Sequence, residues 1–345
     1  MTEAPAAPPL SPWMWMATRI RWKRRRLLWR AFRSRHVLRP VVDRTSEIAA
    51  GDVLVFATLR NEIARLPYFL DHHRRLGVAH FLIVDNGSTD AGPGFLADQP
   101  DVSLWQTSAS YREARFGMDW LGWLLMRHGA GHWCLTVDAD ELLIYPQWQT
   151  RPLPALCARL EQTGAPALGA LMLDLYPREP LGTGLAPADP LELLRGFDPG
   201  PYRARRRARD GALIVQGGAR ERVFFADTPE RGPTLNKLPL VKWRRGHAYA
   251  NASHSMLPPA LNRAWDGPGD TRLSGVLLHT KFLPGIVERS VEERTRGQHF
   301  GQPAAFDAYY GAIAARPTLW SEETLTLDGW EQLCALGLMA DGGWR

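Results

Sequence analysis

The chain has 345 residues, 45% of them hydrophobic, which is enough for one large α/β domain or two smaller ones. Its three cysteines form no CxxC pair, which argues against a disulfide framework and a structural zinc site and predicts a reducing, cytoplasmic setting. The net charge of +6 is uneven, because residues 1–40 hold ten basic and one acidic residue, a charge of +9 that leaves −3 for the remainder.

The N-terminal segment divides into two parts. Residues 1–12 are rich in proline and alanine and are predicted to be disordered, and residues 13–40 are predicted to form a basic amphipathic helix and a linker. The apolar stripe of this helix contains Met16, Ile20, Leu27 and Ala31, and tryptophans lie among its arginines.

This pattern is typical of a helix that lies in the plane of an anionic membrane surface, so we expect residues 13–35 to bind one. A solvated basic extension and a helix docked on its own domain are the alternatives. The segment lacks the roughly 20 apolar residues of a spanning helix, and its charge does not continue into a nucleic-acid recognition fold, so no nucleic-acid partner is expected.

Beyond residue 50, short apolar runs alternate with helical patterns. The runs predict strands at 53–59, 80–85, 102–106, 133–137 and 167–174, and the helical patterns lie near 63–76, 116–129 and 152–163. Shorter strands are predicted near 212–216, 222–226, 238–243 and 275–282, followed by a helical C-terminal part. This alternation predicts an α/β fold with a mostly parallel sheet and helices on both faces.

Polar clusters follow three of the predicted strands: RNE, DNGSTD and DADE. Ligands of such sheets bind beyond the carboxyl ends of the strands, where all three clusters are expected to meet. The last cluster places Asp138, Asp140 and Glu141 within four positions, and their mutual repulsion calls for a nearby cation. The D-x-D spacing suits Mn²⁺ or Mg²⁺ bound together with a diphosphate.

The segments TLRNE, HHRRLGVAHFLIVDNGSTD and WCLTVDADELLIYP, in this order, resemble the family 2 glycosyltransferases with the GT-A fold. The later segments GGARERVFF, KLPLVKW and LLHTKF resemble one bacterial branch of that family. The resemblance implies a GT-A, Rossmann-like domain over residues 41–300, with a nucleotide-binding half (50–150), an acceptor half (151–300) that includes an inserted region, and a helical C-terminal segment (301–345).

The resemblance also implies roles for individual residues. The metal ligands would be Asp138, Asp140 and His279, although a buried core histidine is the alternative for His279. The nucleotide-sugar would contact Asn61, Glu62, Asp85, Asp138, Arg220, Arg222 and Lys281, with Asp85 facing the nucleobase. For the two arginines, a solvated strand face is an equal alternative.

The implied activity is a metal-dependent, inverting transfer of sugar from a UDP-, GDP- or dTDP-sugar to a glycan, a lipid-linked acceptor or another cell-envelope acceptor. Inversion requires a general base, for which Asp174 and Glu221 are the candidates, since the usual Glu-Asp pair is not evident. The enzyme would be cytoplasmic and peripheral on the inner face of the membrane. The alternatives are a catalytically inactive GT-A-like scaffold or binding subunit of an envelope polysaccharide assembly complex and, with fewer matching ligands, a metal-dependent phosphoesterase.

Overall fold

The computed structural model describes residues 12–296 and 303–344. The predicted disordered segment therefore lies outside the described residues, apart from Pro12. In the described part the strands are β1 (Arg39–Val42), β2 (Val53–Leu59), β3 (His80–Asp85), β4 (Val102–Gln106), β5 (Trp133–Thr136), β6 (Glu141–Ile144), β7 (Ala167–Asp174), β8 (Gly196–Phe197), β9 (Tyr202–Arg206), β10 (Leu213–Gly217), β11 (Asn236–Lys242), β12 (Ala248–Asn251), β13 (Ser255–Leu257), β14 (Gly275–His279) and β15 (Leu325–Thr326).

The helices cover the sheet and extend the chain at both ends. They are α1 (Pro12–Ser34), α2 (Leu66–Arg75), α3 (Gly92–Ala97), α4 (Met118–Leu124), α5 (Leu153–Gln162), α6 (Pro190–Leu193), α7 (Gly218–Phe224), α8 (Ile286–Arg296), α9 (Pro303–Ala314) and α10 (Trp330–Ala335).

Nine strands of the described chain form one sheet in the order β1-β4-β3-β2-β5-β11-β7-β14-β6. The strands β2, β3, β4, β5, β7 and β14 run in one direction, and β1, β6 and β11 run in the other. The predicted mostly parallel sheet is therefore confirmed, and the arrangement is consistent with a Rossmann-like GT-A fold.

The two faces of the sheet are buried by different helices. Val53 and Val55 of β2 pack in one core cluster with residues of α2, α3 and α5, whereas Leu54 and Phe56 pack in another with residues of α4. Successive side chains of a strand point to opposite faces, so a strand covered on both sides has to be apolar throughout. This explains the uninterrupted apolar runs of the sequence.

Residues 222–226 form no strand, contrary to the sequence prediction. Gly217 and Gly218 have φ values of +138° and +71°, which end β10 and turn the chain into α7. Glycine adopts such angles without the strain that a Cβ would cause. The RERVFF pattern that resembled a strand belongs instead to this short helix, which buries Arg220 and Glu221.

The helix α1 docks on its own domain. Part of the stripe predicted to face a membrane points inward, with Ala31 buried and Leu27 buried against Ala248 and Leu257, whereas Met16 at its start is 38% exposed. Arg30 anchors the same side through an ion pair of 2.7 Å with Asp119 on α4. The docked alternative is thus the arrangement observed, and no helix in the described ranges is long and apolar enough to cross a membrane.

Candidate functional site

A cavity of about 270 Å³ opens beyond the carboxyl ends of β2 and β5. Its wall is built from the segments that follow β2, β3, β5 and β14, together with α8, Tyr111 and Tyr310, and Asn86 after β3 is the residue that the DNGSTD cluster contributes. Polar residues on this wall include Arg60, Asn61, Glu62, Arg65, Asp138, Asp140, Lys281 and Arg289. The sheet therefore brings the RNE and DADE clusters together at one edge, as the topology predicted.

The repulsion among the three carboxylates is relieved by separate partners. Lys237, a buried residue of β11, places its Nζ 2.8 Å from Glu141 Oε1 and 3.4 Å from Asp138 Oδ2. Burial opposes the charge of Lys237, but Glu141, Asp138 and Asp140 together outweigh it and raise the pKa of the ammonium group. Asp140 instead faces His279. The repulsion among the three carboxylates had predicted a nearby cation. For Asp138 and Glu141 this cation is the side chain of Lys237.

Four charged side chains, Asp140, His279, Asp174 and Arg220, form a hydrogen-bonded chain behind the cavity. The Asp140 Oδ2 lies 3.2 Å from His279 Nε2, the His279 Nδ1 lies 2.6 Å from Asp174 Oδ1, and Arg220 Nε donates to Asp174 Oδ2 at 2.7 Å. Burial lowers the pKa of His279, but the charge of Asp140 and the hydrogen bonds with Asp140 and Asp174 together outweigh it and raise the pKa. Burial likewise opposes ionisation of Asp174, yet Arg220 and His279 together lower its pKa to about 2.

Asp140 and His279, at the cavity end of this chain of charged side chains, are suitable ligands for a divalent cation. Neighbouring ligands of an octahedral ion with bonds of about 2.1 Å lie about 3 Å apart, close to the 3.2 Å between Asp140 and His279. Asp174 holds the second imidazole nitrogen in the manner of carboxylate–histidine–metal triads. Asp138 faces Lys237 instead, and the described residues contain no cluster of three or more His, Cys, Asp or Glu side chains set to bind a metal.

The predicted nucleotide side is ordered by a hydrogen-bonded turn. Asn61 has a φ of +52°, and its Oδ1 accepts a hydrogen bond of 2.8 Å from the Thr89 amide. Asp85 is fully buried and accepts a hydrogen bond from the Ser88 hydroxyl. Asp85 does not line the cavity, so a contact with a nucleobase stays a prediction that would require the Ser88 hydrogen bond to rearrange.

Glu62 links the loop after β2 to α8. Its carboxylate receives hydrogen bonds of 2.8 Å from Arg65 and 2.8 and 2.9 Å from Arg289, and the Arg65 guanidinium also reaches the carbonyl oxygens of Thr280 and Lys281. Glu62 is therefore on the cavity wall with its charge already paired. The sequence analysis assigned no role to Arg65 or Arg289. The only local signal for them is their position among apolar residues at helical spacing.

Lys281 is the cation of the cavity that lacks an acidic partner. Among the described residues, no carboxylate oxygen lies within 4.0 Å of its Nζ, although Asp140 lines the same cavity. Burial lowers the pKa of this ammonium group. An unpaired, partly desolvated cation on a cavity wall is a site for an anionic ligand group.

The remaining predicted residues lie outside the cavity wall. Arg203 binds both carboxylate oxygens of Glu221 at 2.7 Å, and Arg222 pairs with Asp198 at 2.8 Å. These pairs argue against Glu221 as a free base and against Arg222 as a phosphate contact. Arg220 acts on the site through Asp174, and the solvated strand face considered for both arginines is wrong because they lie on α7.

Comparison with known proteins gives limited information. No family model matches the chain, and no curated protein matches it. Solved structures similar to it include a mannosyltransferase from Pyrobaculum calidifontis in complex with GDP-Man and Mn²⁺, at 15% identity and a TM-score of 0.28, covering 87% of this chain and 79% of that one. Another is a 4-diphosphocytidyl-2C-methyl-D-erythritol synthase, at 12% identity and a TM-score of 0.23, covering 84% and 98%. At such scores neither similarity identifies a substrate or a reaction.

Proposed function

We propose that this protein is a glycosyltransferase that uses a nucleotide-sugar donor together with Mn²⁺ or Mg²⁺. The observation that supports this most is the cavity at the strand ends, where Asp140 and the unpaired Lys281 lie on the wall and the buried His279 faces Asp140 from behind it. Two metal donors next to a cation without a partner suit a metal-bound diphosphate better than a neutral ligand.

In this proposal the residues on and behind the cavity wall have separate roles. Asp140 and His279 hold the divalent ion, and Lys281 neutralises the remaining negative charge of the diphosphate. Asn61 and Glu62 bound the nucleotide side of the cavity. A divalent ion bound there would stabilise the charge that develops on the departing nucleoside diphosphate.

The residues behind the cavity prepare His279 for ligation. Asp174 accepts the Nδ1–H of the imidazole, so that Nε2, which lies 3.2 Å from Asp140 Oδ2, is the nitrogen that would give up its proton to a divalent ion. Arg220 holds Asp174 ionised, so that this tautomer is maintained. Asp174 is therefore a positioning residue in this proposal and not the general base.

The general base has to be a carboxylate that faces the cavity. Asp174 and Glu221, the candidates from sequence, both have their oxygens bound to other groups. Asp138 has a side chain that is 58% exposed and lies on the cavity wall. We propose Asp138 either as the base for an inverting transfer or as a further ligand that turns to the ion when the donor binds.

The donor is proposed to be a UDP-, GDP- or dTDP-sugar and the acceptor a glycan, a lipid-linked acceptor or another cell-envelope component. Calorimetric titration with these donors, with and without Mn²⁺, tests the proposal. We expect one donor to bind in a Mn²⁺-dependent manner, and Lys281→Met to weaken it at least about tenfold because a charge-assisted contact is lost.

The matched control is Lys242→Met, which removes a lysine whose partner Glu161 is on the surface. It should leave donor affinity unchanged. Donor binding that is equal in both lysine variants would contradict the assigned site. A folded wild type that binds no donor with Mn²⁺ present would favour the alternative, an inactive scaffold or binding subunit of a polysaccharide assembly complex.

A further inference from the structure

The outward face of α1 carries an exposed aromatic stripe. Trp22 and Trp29 are 65% and 56% exposed and lie seven residues apart, so that they share one side of the helix. Leu27 and Ala31, which dock on the domain, lie roughly 180° around the helix from them. The side of α1 that contains Leu27 and Ala31 is thus buried against the domain, and the opposite side remains exposed to solvent.

Arginines flank this aromatic stripe on both sides. The Arg25 guanidinium lies 5.8 Å from the centre of the Trp22 ring, and that of Arg33 lies 4.8 Å from the centre of the Trp29 ring. Residues 12–35 contain nine basic residues and no acidic one. The outward face therefore combines indole rings with a dense positive charge.

We propose that this outward face of α1 is a docking surface for an anionic lipid bilayer. Indole rings favour the boundary between headgroups and acyl chains, and arginines bind anionic headgroups beside them. The face is the solvent-exposed side of α1, which can lie on a flat bilayer while the opposite stripe stays docked. The proposal is independent of the transferase activity.

Co-sedimentation of the full chain with vesicles tests the proposal. Vesicles of equal parts phosphatidylcholine and phosphatidylglycerol should bind the protein, and high salt or vesicles of phosphatidylcholine alone should release most of it. The charge variant Arg25→Gln/Arg26→Gln/Arg33→Gln should bind about a hundredfold more weakly, because each basic residue near an anionic surface contributes about a factor of five. The aromatic variant Trp22→Ala/Trp29→Ala should bind about tenfold more weakly.

The matched control removes three arginines from other elements: Arg75→Gln/Arg159→Gln/Arg178→Gln. Because all these side chains lie outside the core clusters, each variant should keep the thermal unfolding temperature of the wild type, which is measured in parallel. Equal vesicle binding by the charge variant and the control would overturn the proposal. So would failure of the wild type to bind anionic vesicles, and retention of a single-stranded oligonucleotide in that case would assign the face to nucleic acid.

Discussion

Replacement of Lys237 by methionine should destabilise the protein severely. The side chain of Lys237 is only 4% exposed and that of Glu141 only 1%, with 2.8 Å between Nζ and Oε1. Removal of one member of a buried ion pair leaves the other charge uncompensated, at a cost of about 3–5 kcal/mol. We therefore expect Lys237→Met to lower the free energy of unfolding by that amount, as measured by urea denaturation at neutral pH.

Two further variants make the reasoning specific. The double variant Lys237→Met/Glu141→Gln removes both charges and should recover most of the loss, to within about 1–2 kcal/mol of the wild type. Lys242→Met, on the same strand, breaks a pair with the 53% exposed Glu161 and should cost less than about 1 kcal/mol. A Lys237→Met protein as stable as the wild type, or a double variant as unstable as the single one, would refute the explanation of the acidic cluster.

Two other predictions concern a glycine and a pair of histidines. Gly117→Ala should lower the free energy of unfolding by about 1–3 kcal/mol, because φ is +75° and the new Cβ would lie 2.7 Å from the Thr58 hydroxyl oxygen. Gly131→Ala, with φ +94° and open space around the new Cβ, should lower it by less. Equal losses of stability in thermal unfolding would contradict the contact with Thr58. Burial lowers the pKa of His72 to about 4 and that of His73 to about 3. Both stay neutral in the folded state while the unfolded chain binds protons below about pH 6.5, so stability should fall by about 3 kcal/mol from pH 6.5 to pH 5. Urea unfolding across this range that shows no loss would mean that the histidines are not buried as described.

The parallel strands could be predicted because each is covered on both faces. The runs at 53–59 and 167–174 are apolar apart from Thr58 and the terminal Asp174, and they match β2 and β7 to the residue. Polar residues that immediately follow such strands have to lie at one edge of the sheet, which is why the RNE and DADE clusters were expected together.

Other features depend on contacts that distant parts of the chain provide. The sequence identified the apolar stripe of α1, but whether Leu27 faces a lipid or β12 is decided by the complementary patch at Ala248 and Leu257. Lys237 is separated from Glu141 by almost a hundred residues, and only the antiparallel insertion of β11 between β5 and β7 brings the two together. Local periodicity contains no information on either pairing.

The most direct test of the proposed site is pulsed electron paramagnetic resonance of Mn²⁺ bound to the protein labelled with ¹⁵N-histidine. The account predicts a hyperfine coupling to one histidine nitrogen, its loss in His279→Gln, and a ³¹P coupling when a nucleoside diphosphate is added. A histidine coupling that persists in His279→Gln, or the absence of bound Mn²⁺ with every nucleotide, would contradict the assignment of Asp140 and His279 as the metal site.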